Sequence, residues 1–180
     1  MTPTVPTTRR QQIVEAARRL LEEQGPTALS MRNVAAEIGI RAPSLYEHVT
    51  DKRALESAII ADALNEHGTA QREFLERYDG DDPLMGMAMK YRAWALSHPH
   101  LYRLIYSRDL DREDPAVAQA EQVAAVPLRS LTGGDIPASR AIWSFAHGMV
   151  SLELADRFPP GTDVDELWER GIAAMKTMLR

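Results

Sequence analysis

Apolar residues recur along this chain at three- and four-residue intervals, and Val, Ile and Thr are not grouped into alternating runs. That period belongs to helices rather than strands. Ile13, Ala16, Ala17, Leu20 and Leu21 mark one helix face. Ahead of them, Thr8-Arg9-Arg10-Gln11 has the form of a capping box, whose side chains satisfy the free backbone donors of a helix start. Gly25 stops this helix. A second starts at Ser30, buries Val34, Ala35 and Ile38, and ends at Gly39. Pro43 suits the first turn of a third helix, where its missing N–H costs nothing. Leu45 and Val49 face inward there, so Ser44, Tyr46, Glu47 and His48 face mostly outward. Thr50 or Asp51 caps a fourth helix, which runs through Leu55, Ile59 and Ala63 to about His67.

The same pattern continues to the C-terminus. A helix is expected over residues 83–97, with Met85, Met89 and Trp94 among its apolar positions, and His98-Pro99 breaks it. Residues 101–106 form a short apolar helix and 108–114 a charged loop. A further helix covers 115–131, kinked or split by Pro127. Gly133-Gly134 makes a turn. A long helix spans 137–157 before Phe158-Pro159-Pro160-Gly161, and Asp163 caps a last one reaching residue 179. The fold class is therefore all-α: a three-helix helix-turn-helix unit followed by a helical body. Residues 1–8 read as a disordered arm, 9–55 as the helix-turn-helix domain, and 56–180 as the C-terminal domain.

Composition narrows the function. With 44% apolar residues the chain can bury a sizeable core, and it has no Cys, so disulfides and thiolate chemistry are excluded. No run of about 18 apolar residues is present, and the N-terminus lacks the apolar core of a signal peptide. A soluble, cytoplasmic protein without a membrane partner is expected. The net charge of −5 at first disfavours a nucleic-acid partner. Its distribution answers this: residues 1–53 carry 8 Lys/Arg against 6 Asp/Glu, and the remainder 13 against 20. A mildly basic head on an acidic body fits contact with DNA at one end only.

The outward residues of 30–52 suit a major groove. Arg32 and Arg41 have the fork that pairs with guanine O6 and N7, though either is equally able to bind phosphate. Ser44 reaches a base edge or a phosphate; Ser30 is first a helix cap. Glu47 is out of place near phosphates unless it accepts from cytosine or pairs with an Arg. Lys52 opens the fourth helix, where its ammonium and the free N–H groups both favour a phosphate. Taken alone, Tyr46 could pack on the first helix, His48 could be merely exposed, and Lys52 could be a solvated charge.

Residues 9–67 resemble the DNA-binding domain of TetR-type transcription regulators. The resemblance rests on Glu23-Gln24-Gly25, on Leu29-Ser30-Met31-Arg32-Asn33-Val34-Ala35, on Ile38-Gly39-Ile40, and above all on Pro43-Ser44-Leu45-Tyr46-Glu47-His48-Val49 with Asp51-Lys52-Arg53-Ala54-Leu55. Val49 stands where the family usually has Phe, which keeps an apolar contact. The resemblance implies that Tyr46 contacts the DNA backbone and that His48 lies at the DNA surface. Trp143, His147 and Gly148 look like the signature of the Trp-His-Gly type of C-terminal domain in this family, continued by Ser151-Leu152-Glu153-Leu154. His98-Pro99-His100-Leu101-Tyr102-Arg103-Leu104 resembles another recurring element of such domains.

The implied function is a ligand-responsive repressor that binds a near-palindromic double-stranded DNA operator as a homodimer. The helices at about 137–158 and 164–179 are the expected interface, with Ile142, Phe145, Met149, Leu152, Leu167, Ile172, Met175 and Leu179 as apolar positions. A small apolar or amphipathic effector, of unknown identity, is expected to meet Met85, Met89, Trp94, Tyr102, Tyr106, Trp143 and His147. The plain alternative is that this stripe is core and that Trp143 and His147 only pack at a helix crossing, with Gly148 admitting the neighbour. No cofactor and no metal site are expected: His98 and His100 share no helix face, and His147 has no second ligand at helical spacing. No Gly-rich phosphate loop, Gly-x-Ser-x-Gly or His-Glu-x-x-His is present, so an enzyme is not expected. A helical adaptor that no longer binds DNA is the alternative from another class.

Overall fold

The computed structural model describes residues 8–179, and among them every regular element is helical. Of the expected disordered arm 1–8, residues 1–7 lie outside the described residues, while Thr8 is ordered as the cap of α1. The helices are α1 (Arg9–Gln24), α2 (Met31–Glu37), α3 (Ala42–Tyr46), α4 (Lys52–Arg77), α5 (Pro83–Ser97), α6 (Pro99–Tyr106), α7 (Pro115–Leu131), α8 (Ile136–Leu154) and α9 (Val164–Lys176), closed by a 3-10 turn over Thr177–Leu179. The chain forms two compact units. The first holds the residues up to Leu64 together with His100–Ala120; the second holds Asn65–Pro99 and Glu121–Arg180.

Local chemistry starts most of these helices. Thr8 and Gln11 make the full capping box of α1, each side chain meeting the other's backbone N–H. Ser30, Asp51, Asp82, Asp135 and Asp163 each accept from the backbone N–H three residues on. Gly25, with φ of 80°, closes α1 in a region of backbone space that other residues rarely adopt.

In the first unit, α1 buries Ile13, Val14, Ala16, Ala17, Leu20 and Leu21. Val34 and Ala35 of α2, Leu45 of α3, Val49 and the first half of α4 complete the core. Helix α6 belongs here too: Leu101, Tyr102 and Ile105 are buried, and the His100 ring lies 3.4 Å from where a Cβ at Gly25 would stand. Residues 100–120 are thus packed with the helix-turn-helix rather than with the rest of the body.

The second unit is organised around Trp168, which is fully buried on α9. Its indole N–H donates to Glu153 Oε1 at 2.7 Å, and the other oxygen of that carboxylate takes Arg92 Nε at 2.9 Å and Nη2 at 2.8 Å. Arg92 also meets Asp165 at 2.5 Å and lies over the Trp168 ring. Burial opposes the charge on Arg92, but the two carboxylates outweigh it and raise its pKa. Phe145 packs edge-on against Trp168 and occupies the space beside Gly171, where a Cβ would come within 2.0 Å of its ring. One carboxylate therefore ties α5, α8 and α9 together.

Four expectations change. Helix α4 does not end near His67 but continues to Arg77. Gly68 is no stop: its Cβ position lies 2.7 Å from the Val123 carbonyl oxygen, so the glycine serves close approach to α7. Helix α3 ends at Tyr46, leaving Glu47 as its cap and His48 just beyond it. Pro127 sits inside a continuous α7 and does not split it. Helix α8 stops at Leu154, ahead of Asp156, whose φ of 51° is not helical. In addition, Ile142, Met149 and Ile172 are buried within the chain itself, and Phe145 is half-buried against α9. These four are spent on the fold of one chain and are not free for a partner.

Glu153→Ala should leave both Arg92 and the Trp168 N–H without their acceptor and cost about 3 kcal/mol of unfolding free energy in urea. A loss below about 1 kcal/mol would remove the carboxylate from its central place. Gly68→Ala should also destabilise, by about 1–3 kcal/mol, because crowding at α7 exceeds the roughly 1 kcal/mol gained in helix propensity.

Candidate nucleic-acid interface

The second helix of a helix-turn-helix must show polar groups outward while staying pinned from behind. Leu45 is fully buried and Val49 is 5% exposed, and these two hold α3 down. The backbone N–H groups of His48 and Val49 both donate to the Leu45 carbonyl, which carries the turn one step past the helix end. The preceding turn is closed by Ile40 N–H donating to the Ala35 carbonyl, with Gly39 at φ of 68°. Asn33 Nδ2 donates to the Ala28 carbonyl, and Arg19 on α1 pairs with Glu37 on α2 at 3.1 Å. These contacts hold α2 against α1 and set the turn from α2 into α3.

All six residues expected at DNA are exposed and belong to the first unit. Arg32 lies on α2 and Arg41 caps α3 through its backbone, so its side chain is not used as a cap. Ser44 and Tyr46 lie on α3, and Tyr46 is 50% exposed despite its ring. His48 follows α3, and Lys52 is the first residue of α4. Glu47 is exposed as well. Much of the Tyr46 ring is open to solvent although its neighbour Leu45 is fully buried. The arrangement offers a row of donors: two guanidiniums, a hydroxyl, a phenol, an imidazole and an ammonium. Donors of that kind bind phosphate oxygens and base edges.

Around α4 the sequence missed a partner set. Glu56 lies one turn after Lys52, 3.7 Å from its ammonium, and pairs with Arg108 from the loop after α6. Arg53 meets Asp111 of the same loop at 3.9 Å. The charged run 108–114 was legible as a loop, but nothing local connects it to residues more than fifty positions earlier.

The seven expected ligand residues fall into separate groups. Tyr102 is buried and packs against Tyr106 in the first unit, ring centroids 4.7 Å apart. In the second unit, Trp143 and His147 stack on each other at 5.6 Å, but on the outside of α8, where Trp143 is 42% exposed. Burial lowers the His147 pKa. Gly148 has nothing within 4 Å of its Cβ position, so no helix among the described residues crosses there. Met85 and Met89 are half-buried. Trp94 has a different company: the His67 ring at 4.6 Å and the His98 ring at 5.7 Å.

His67 leads to residues that sequence reading passed over. It lies against Tyr91 at 5.5 Å as well as Trp94, and burial holds its pKa down to about 4, so the ring is neutral. One turn on, Gln71 is only 6% exposed. Its amide nitrogen is 3.4 Å from both His67 Nε2 and the Met87 carbonyl, while its Oε1 has no hydrogen-bond partner. With the amide donating, His67 Nε2 must be the acceptor, which puts the ring proton on Nδ1. A buried amide oxygen without a donor is a costly feature that calls for a reason. The readable signal was a His and a Gln four apart on an otherwise apolar stripe of Leu64, Leu75 and Tyr78. A separate open groove of about 430 Å³ is lined by Ala70, Glu73, Phe74, Arg77, Tyr78, Asp79 and Lys90, and contains none of the expected ligand residues.

No helix among the described residues is long and apolar enough to cross a membrane. Comparison with known proteins agrees with the geometry. Residues 13–59 match the family described as bacterial regulatory proteins, tetR family, and residues 84–175 match the tetracyclin repressor-like C-terminal domain. An uncharacterized HTH-type transcriptional regulator of Mycobacterium tuberculosis, Rv0681, is 29% identical over 81% of this chain and 70% of its own length. A protein of unknown function from Rhodococcus sp. RHA1 superposes with a TM-score of 0.75 at 21% identity, covering 97% of both chains. A variant of TetR from Acinetobacter baumannii AYE, in complex with minocycline, does so with a TM-score of 0.63 at 24% identity over 94% of each. With both halves matched and the donor row exposed on α2, α3 and the start of α4, this chain belongs to the TetR family of bacterial regulatory proteins, which are DNA-binding transcription regulators.

Proposed function

We propose that this protein is a cytoplasmic, non-enzymatic repressor that binds a near-palindromic operator as a homodimer and releases it when a small effector binds. The observation that carries the DNA half is the division of labour in α3: Leu45 and Val49 are buried while Ser44, Tyr46 and His48 stay exposed. Residues 9–55 form the DNA-binding domain in this reading, and 56–180 serve effector binding and dimerisation. One head touches too few phosphates for tight, specific binding, and two heads a helical turn apart solve this. The segments 137–158 and 164–179 supply the pairing face. Trp143, Leu152 and Leu167 are each at least 36% exposed there, and the open side of Gly148 leaves room for a partner helix.

The effector is small and apolar or amphipathic. The free Gln71 oxygen, beside the neutral His67 and the Trp94 ring, favours an uncharged ligand that carries an N–H or O–H donor and a flat apolar body. Repression follows if the ligand prefers a conformation whose heads are wrongly spaced for DNA.

The DNA reading is tested by selecting duplexes from a random-sequence pool with the wild-type protein. A pseudo-palindrome should emerge. Tyr46→Ala should weaken binding to it by roughly tenfold, about 1.4 kcal/mol, and weaken unrelated duplexes in parallel, whereas Arg41→Ala should relax choice at one base of each half-site. Unchanged affinity in Tyr46→Ala would mean that the DNA face is misassigned. The buried pair makes its own prediction. His67 has a folded pKa near 4 against an ordinary 6.5, so the stability tied to its neutral form is fully present above pH 6.5. It should be lost as pH falls from 6.5 toward 4, by up to about 3 kcal/mol. His67→Phe should flatten that part of a stability-against-pH curve measured in urea. Gln71→Leu should cost little stability, below about 1 kcal/mol, because relief of the unsatisfied oxygen offsets the two long hydrogen bonds that the amide nitrogen gives to His67 Nε2 and the Met87 carbonyl; a loss of several kcal/mol would show that the amide is a structural element.

A further inference from the structure

We propose that Arg108 is a positioning residue for DNA binding, which holds the Glu56 carboxylate so that the Lys52 ammonium is left for a DNA phosphate. The proposal rests on the reading of Lys52 as a phosphate contact. Glu56 is the one carboxylate within a helical turn of Lys52 on α4 that approaches it, and it competes with a phosphate for the same charge. Its side chain is 15% exposed, so water screens it poorly. Arg108 Nη1 takes Glu56 Oε2, and the Lys52 ammonium stays 3.7 Å from Oε1, longer than a close charged hydrogen bond. The more buried of the two pairs is the one with Arg108, whose side chain is 25% exposed against 51% for Lys52. Glu56 is therefore committed to the loop, and Lys52 faces solvent.

The loop is held for this task. Asp111 meets Arg53, the neighbour of Lys52, so loop and helix each give the other one acid and one base. Behind the loop, α6 is seated on the C-cap of α1 through His100 and Gly25. Remove the Arg108 charge and Glu56 turns its full negative charge on Lys52 and on any phosphate beside it. DNA affinity then drops although Arg108 touches no DNA. A displacement of residues 107–114 is read out at Lys52 in the same way.

The experiment is fluorescence anisotropy with the duplex selected by the wild-type protein, at several salt concentrations, and melting curves for each variant. Arg108→Gln should weaken binding by roughly three- to tenfold, in the range expected of partly exposed ion pairs, and Arg108→Lys should restore most of it. Glu56→Gln should keep or tighten binding. In the Glu56→Gln background, Arg108→Gln should change affinity by less than about twofold, since the carboxylate it neutralises is gone. A merely general loss of positive charge would persist in that background and would overturn the proposal. So would a weakening by Glu56→Gln, which also decides the matter if Arg108→Gln folds poorly. Lys52→Gln should lower the salt dependence of binding by about one counterion per head. If it changes neither affinity nor salt dependence, the reading of Lys52 fails and this inference with it; if it does while Arg108→Gln has no effect, only the inference falls.

Discussion

A helix of five residues has no stability of its own, because the entropy of its first turn is not recovered over so short a length. Whatever α3 does depends on its being held from behind. Leu45 and Val49 meet this need by sinking into a core built from α1, α2 and the first half of α4. The Leu45 carbonyl accepts two donors at the helix end, and Gly39 lets the chain turn into α3 without a clash. Because the back of α3 is fixed this firmly, its front carries Ser44 and Tyr46 free of structural duty. Tyr46 stays half exposed on that front.

The first unit is larger than a bare helix-turn-helix. It includes α6 and the loop to α7, joined by apolar burial of Leu101, Tyr102 and Ile105 and by two ion pairs to α4. In the second unit the ions do a different job. Arg92, Glu153 and Asp165 are gathered around Trp168, where they secure the register of α5, α8 and α9. His67 and Gln71 stand apart from both uses: they are buried, the ring is neutral and the amide oxygen has no hydrogen-bond partner.

The helix starts were legible because each is a contact between residues three apart. Thr8, Ser30, Asp51 and Asp163 cap where their spacing implied, whereas the caps at Asp82 and Asp135 emerge only from the structure. The inward and outward sides of α3 were legible for the same reason. The end of α4 was not legible near His67: only the α7 backbone beside Gly68 shows that the glycine admits a neighbour within a helix that runs on to Arg77. Ile142, Met149 and Ile172 have the pattern of a pairing face, yet the chain buries them itself. Apolar spacing names a face without saying which surface will cover it.

By itself, then, the sequence determined what depends on neighbours within a turn or two: nine helices in order, their caps, and the polar front of a groove-sized helix. Tertiary structure decided what depends on residues far apart. It joined Arg108 to Glu56 across 52 positions and Arg92 to Glu153 across 61. It seated α6 with the helix-turn-helix and left the Gln71 oxygen buried without a donor. The physical reason is that a side chain's periodicity reports its direction from the helix axis, whereas its charge, partners and dielectric are set by whatever the fold brings in front of it.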